Sequence, residues 1–69
     1  MPQIIWNQPG NPSRGVAARL GITRDQLRNA LHRIKADVKY GPTDRVIIWD
    51  DGSVSDDEGE MIGNVYDEI

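Results

Sequence analysis

The sequence contains no cysteine, which excludes a disulfide frame, a thiolate nucleophile and any cysteine-ligated metal. It has no phenylalanine either, so two tryptophans and two tyrosines are its only bulky aromatic fillers. No apolar stretch approaches the ~20 residues of a membrane span. Residues 1–11 have no basic region leading into an apolar run, so they do not read as a signal peptide. There is no glycine-rich phosphate loop, no GxSxG element and no cluster of metal-ligating residues. These absences predict a soluble, cytoplasmic, non-enzymatic protein with no cofactor, no metal and no membrane association.

With 69 residues there is room for one domain, 1–69, and one core. A chain of this size buries only about 60% of the surface it exposes when unfolded. Stability then falls to a few large apolar residues, to a partner or to self-association. The core candidates are Ile4, Ile5, Trp6, Val16, Leu20, Ile22, Leu27, Leu31, Ile34, Val46, Ile47, Ile48, Trp49, Val54, Met61, Ile62, Val65 and Tyr66.

The net charge of −3 conceals a split between two halves. Residues 1–13 carry no charged side chain. Over 14–39, seven basic residues stand against two acidic ones, a balance of +5. Over 40–69, Arg45 stands against nine carboxylates, a balance of −8. Such asymmetry says more about partners than the total does.

Local patterns divide the chain the same way, into a helical half, 12–37, and an acidic β half, 44–67. Gln3–Trp6 is apolar and β-favouring, and Pro9, Gly10 and Pro12 end it. Asn11-Pro12 is a good helix start, Val16, Ala17 and Leu20 recur at helical spacing, and Gly21 supplies a left-handed stop. The first helix is expected over 12–20. Thr23-Arg24-Asp25-Gln26 fits a capping box, and Leu27, Leu31 and Ile34 form an apolar stripe, predicting a second helix over 24–37 that ends before Gly41-Pro42. Arg45–Trp49 is the strongest strand signal. Asp50-Asp51-Gly52 then reads as a tight turn, Ser53–Ser55 as a short strand, Asp56–Glu60 as a second turn, and Met61–Tyr66 as a third strand whose Gly63 marks a bulge. The continuous run Val46–Trp49 suggests a central strand partly covered on both faces, with helix 2 on one of them.

The segment 14–34, RGVAARLGITRDQLRNALHRI, resembles the helix-turn-helix of bacterial DNA-binding proteins. Ala17 is small where two helices cross, Gly21 sits four residues later where positive φ is needed, and Val16, Leu20, Ile22 and Leu27 fill the joining apolar positions. Ala30 falls where a larger aliphatic residue is more usual. The resemblance implies that helix 2 is a recognition helix whose N-terminal face enters the major groove of duplex DNA. Its groove-facing residues would be Thr23, Arg24, Asp25, Arg28, Asn29 and His32. Arg24 or Arg28 would read guanine and Asn29 adenine, while Arg14, Arg19, Arg33 and Lys35 would position the fold on phosphates. Against this, a hairpin wing that meets phosphate should be basic, and here the turns carry Asp50-Asp51 and Asp56-Asp57-Glu58, which repel a duplex at close range. The alternative is a protein-interaction module, with the cationic face or the acidic sheet docking a protein partner or a second copy.

A softer similarity runs over 31–69. The order of an Ile-Lys helix end, a polar turn, an apolar strand and Asp-Gly and Gly-Glu turns before Ile62-Gly63-Asn64 is similar to C-terminal segments of some bacterial polymorphic toxins. It implies a stand-alone relative of a domain found attached to larger proteins, and it carries over no catalytic residue. Three bottom-up alternatives are weaker. His32, the one histidine, sits among arginines that suit a phosphodiester, but no second base or nucleophile accompanies it. The acidic turns hold many oxygens, but their order does not match an EF-hand loop. Trp6 and Trp49 have faces on which bases can stack, yet a chain so poor in aromatics needs them for packing. The expected architecture is thus α+β: a helix-turn-helix-like pair packed on a small antiparallel three-stranded meander, with Gln3–Trp6 available as an N-terminal edge strand.

Overall fold

A computed structural model of the protein describes residues 1–41 and 44–69. Pro42 and Thr43, in the polar turn where helix 2 was expected to end, lie outside the described residues. The chain is a two-layer α+β domain. Its elements run β1 (Ile4–Gln8), α1 (Arg14–Leu20), α2 (Arg24–Asp37), β2 (Val46–Trp49), β3 (Ser53–Ser55), β4 (Met61–Asn64) and a 3-10 turn, η1 (Val65–Asp67). The strands form one antiparallel sheet in the order β1-β2-β3-β4. Among the described residues, no helix is long and apolar enough to cross a membrane.

Both helix boundaries that matter for the site have identifiable causes. At Gly21 (φ 74°) the chain turns left-handed; the Gly21 N–H bonds Ala18 O at 3.1 Å and the Ile22 N–H bonds Ala17 O at 3.1 Å. This paired arrangement satisfies carbonyls that the end of α1 would otherwise orphan. Two residues on, Thr23 Oγ1 accepts from the Gln26 N–H at 3.1 Å and Gln26 Oε1 accepts from the Thr23 N–H at 3.0 Å. The reciprocal cap fixes where α2 starts. The far end of α2 repeats the left-handed device without glycine: Lys39 has φ 60°, with its N–H on Ala36 O and the Tyr40 N–H on Lys35 O.

The core lies between the helices and one face of the sheet. Val16, Ala17, Leu20, Leu27, Ala30, Leu31 and Ile34 meet Val46, Ile48, Val54 and Val65, with Ile5, Trp6, Ile22, Tyr40 and Ile62 packed partly against them. Gly63 is where α2 comes closest: a Cβ there would stand 2.9 Å from Ile34 Cγ1. Beside it the register skips Ile62 between the pairs Val54–Gly63 and Ser55–Met61, a bulge in β4. A second bulge leaves Ile5 unopposed in β1. Tyr66 ties the layers together at one end. Its ring lies against Gly52 in the β2–β3 turn, and its hydroxyl donates to Leu20 O at 2.6 Å, 46 residues away in sequence.

Several expectations need correction. The sheet has four strands: the N-terminal segment available as an edge strand pairs with β2, along Ile4–Gln8 rather than Gln3–Trp6. Helix α1 starts at Arg14 rather than at Pro12, with Ser13 at the cap position. The last strand ends at Asn64, whose side chain accepts from the Tyr66 N–H at 2.9 Å and turns the chain into η1. Ile4, Met61 and Tyr66, expected in the core, are exposed. Ile4 and Met61 belong to the face of the sheet turned away from the helices.

Candidate nucleic-acid interface

Helix α2 buries Leu27, Ala30, Leu31 and Ile34 and leaves two flanks. At 3.6 residues per turn, Arg24, Arg28 and His32 share one flank at four-residue spacing, with Lys35 next in line. Arg24, Arg28 and His32 are exposed, whereas Lys35 is only 7% exposed. Its long stem adjoins Leu31 and Ala36 in a cleft of about 260 Å³ also lined by Asn11, His32 and Tyr40. Burial lowers the Lys35 ammonium pKa, and Asp44 partly opposes the shift. A buried lysine was not foreseen; its place at one margin of the apolar stripe, four residues after Leu31, is the available sequence signal.

The other flank is occupied by the chain's own end. Gln26, Asn29 and Arg33 line a groove with Glu68 and Ile69, and the Arg33 guanidinium donates to Glu68 O at 3.0 Å. Arg14 and Arg19 are exposed on α1. Arg19 borders a cleft shared with Gln3, Ile4 and Ile5 at the β1 side. Thr23 is exposed at the corner but commits its hydroxyl to the cap. The site residues therefore divide: Thr23, Arg24, Arg28 and His32 share one continuous exposed surface, Asn29 and Arg33 face the C-terminal tail, Lys35 is enclosed, and Arg14 and Arg19 lie on the neighbouring helix.

The electrostatic question is whether the acidic half neutralises this surface. Arg28 Nη2 lies 3.3 Å from Asp25 Oδ1, one turn away in the same helix, with both side chains substantially exposed. Among the described residues, no arginine forms an ion pair with a carboxylate of the second half. The turn carboxylates serve their own turns instead. Asp51 Oδ1 accepts from the Ser53 N–H at 3.0 Å, and Asp56 Oδ1 accepts from Glu58 N–H at 3.0 Å and Glu60 N–H at 2.8 Å. Short aspartate side chains favour such local bonds to backbone a few residues on.

The two acidic turns sit at opposite ends of α2. Burial raises the Tyr40 phenol pKa, and Asp56, Asp57, Asp44 and Glu58 raise it further, which places that cluster near the C-terminal end of the helix. Asp50-Asp51 adjoins the α1–α2 corner, because Gly52 packs on the Tyr66 ring and Tyr66 bonds Leu20 O. Among the described residues, no three of histidine, aspartate and glutamate gather as a metal site. No protein-family model matches the chain, and neither the curated proteins nor the solved structures yield a significant match to it.

Proposed function

We propose that the protein is a small non-enzymatic module that binds duplex DNA, with α1 and α2 acting as a helix-turn-helix and α2 as the reading element. The observation that carries this reading is the exposed pair Arg24 and Arg28 on the N-terminal half of α2, clear of ion pairs with the acidic half among the described residues. The glycine corner and the capping box give those two side chains a fixed base. The Arg28–Asp25 contact does not lock them, since an exposed pair of this kind contributes only about 0–1 kcal/mol and exchanges readily for phosphate or a guanine edge.

Arg24 and Arg28 are the base-reading candidates, Thr23, His32, Arg14 and Arg19 the phosphate neighbours, and Asn29 reaches adenine only where the C-terminal tail leaves it room. Arg33 and Lys35 are not needed for the contact. The Asp50-Asp51 turn beside the corner opposes a close approach, so binding of modest affinity follows, and the cationic contacts to phosphate make it salt-dependent. Fluorescence anisotropy of a labelled random-sequence duplex pool tests the proposal. Affinity detectable at about 150 mM salt, reduced on Arg24→Ala or Arg28→Ala, with a fall of ~1 in the salt slope on removing a phosphate neighbour such as Arg19, supports it. No affinity under those conditions, or affinity indifferent to both substitutions, overturns it.

A further inference from the structure

The face of the sheet away from the helices is unlike an ordinary solvated face. Antiparallel partners share a face, so the strand register divides it into two rows. Asn7, Ile47, Ser55 and Met61 make one row. Ile4 pairs with Trp49, and Ser53 with Asn64, to make the other. None of these eight residues is charged, in a chain that is 28% charged. The Trp49 indole N–H donates to Ser55 Oγ at 3.0 Å, which draws the ring across from β2 to β3. Ile4 and Met61, 48% and 58% exposed, stand on the two outer strands. An open sheet face that water alone covers normally carries charged as well as polar side chains; this one has four polar and four apolar residues and no charge, and Ile47 and Ser55 at its centre are already buried.

The margins carry the opposite character. At one end of the strands lies the β2–β3 turn with Asp50 and Asp51; at the other lies the β3–β4 turn with Asp56, Asp57, Glu58 and Glu60. Arg45 precedes β2, and its guanidinium donates to Asn7 O at 3.4 Å. An uncharged strip therefore runs across the strands with carboxylates along both of its long sides. Four strands at about 4.8 Å spacing make it roughly 15 Å long, the length of about three helical turns.

We infer that this face docks a basic amphipathic helix of a partner protein, lying across the strands with its apolar stripe on Trp49, Ile4 and Met61. Lysines or arginines on both sides of that stripe meet the two acidic turns. The complementarity is of charge as well as shape, and it involves the face opposite α2, so it stands or falls independently of the DNA-binding reading.

The test uses the whole protein and a synthetic helical peptide of about 14 residues, with leucines in one stripe and lysines on both flanks. A matched peptide replaces every lysine with glutamate. Binding is followed by the NMR signals of the Trp49 indole N–H and of the Ile4 and Met61 amides. The expected result is a saturable shift of these signals by the lysine peptide, none by the glutamate peptide, and at least tenfold weaker binding by Met61→Lys and by Ile4→Lys, both folded as judged by their NMR spectra. Equal binding of the two peptides, shifts confined to α2, or indifference to both substitutions overturns the inference. So does a concentration-dependent oligomer in sedimentation that moves the Trp49 signal before peptide is added, because a second copy would then occupy the face.

Discussion

Gly52→Ala perturbs the contact that holds the acidic sheet to the helix corner. Gly52 has φ 89°, and a Cβ built there would stand 2.5 and 2.6 Å from Tyr66 Cδ2 and Cε2. The left-handed backbone costs an L-residue roughly 1–2 kcal/mol. The ring has to swing aside, and its hydroxyl then leaves Leu20 O, a bond of 2.6 Å whose loss costs ~1 kcal/mol. The expected destabilisation is about 3 kcal/mol, a large share of the ~3–10 kcal/mol typical of a domain this size. In thermal unfolding followed by circular dichroism this corresponds to a fall of ~15 °C in Tm. Tyr66→Phe, which removes only the hydroxyl bond, lowers Tm by ~5 °C. In a Tyr66→Ala background, Gly52→Ala costs the backbone share, ~1–2 kcal/mol, with a small addition from the 3.0 Å approach to Asn64 Oδ1. A full ~3 kcal/mol cost persisting in that background, or a cost under ~1 kcal/mol in the wild type, refutes the reasoning.

Gly63→Ala places a methyl 2.9–3.2 Å from three Ile34 side-chain carbons; overpacking of this kind costs ~1–3 kcal/mol, read as a lower urea midpoint, and an unchanged midpoint would mean that α2 has room to recede. Lys39→Gly relieves a non-glycine residue at φ 60° and is expected to stabilise by ~0.5–1 kcal/mol, seen as a higher Tm; a lower Tm would show that the lysine side chain outweighs the backbone strain. The Asp51 carboxyl is held below its ordinary pKa of 3.8 by the backbone N–H and then the hydroxyl of Ser53. Its contribution to stability is present above that value and lost as pH falls through the depressed one. Urea midpoints of the wild type and Asp51→Ala should therefore differ near pH 6 and converge as the pH falls below 3.8; a gap that is constant with pH contradicts that assignment.

Local chemistry made the helices legible and tertiary packing decided the rest. The bounds of α2 match the sequence expectation, Arg24–Asp37, because a capping box and an apolar stripe act within a few residues. The start of α1 was misplaced because Asn11-Pro12 and Ser13-Arg14 both have the composition of a helix start. Membership of β1 in the sheet depends on pairing between Ile4–Gln8 and residues some 40 positions later, which no local pattern encodes. Trp49 was expected in the core by its size. It lies half-buried on the outer face instead, because alternation along β2 puts Val46 and Ile48 inward and Ile47 and Trp49 outward. Among the site residues, helical spacing correctly groups Arg24, Arg28 and His32, but it says nothing of the C-terminal segment that folds back onto Asn29 and Arg33.

DNA binding by this chain requires an exposed cationic flank of α2 that the sheet's carboxylates do not neutralise. An amide chemical-shift map of the protein titrated with duplex DNA at low salt addresses that claim directly. Shifts concentrated at residues 23–32, with the turn at 56–60 unmoved, are the predicted result. Shifts centred on the acidic turns, or none anywhere at saturating duplex, would contradict it.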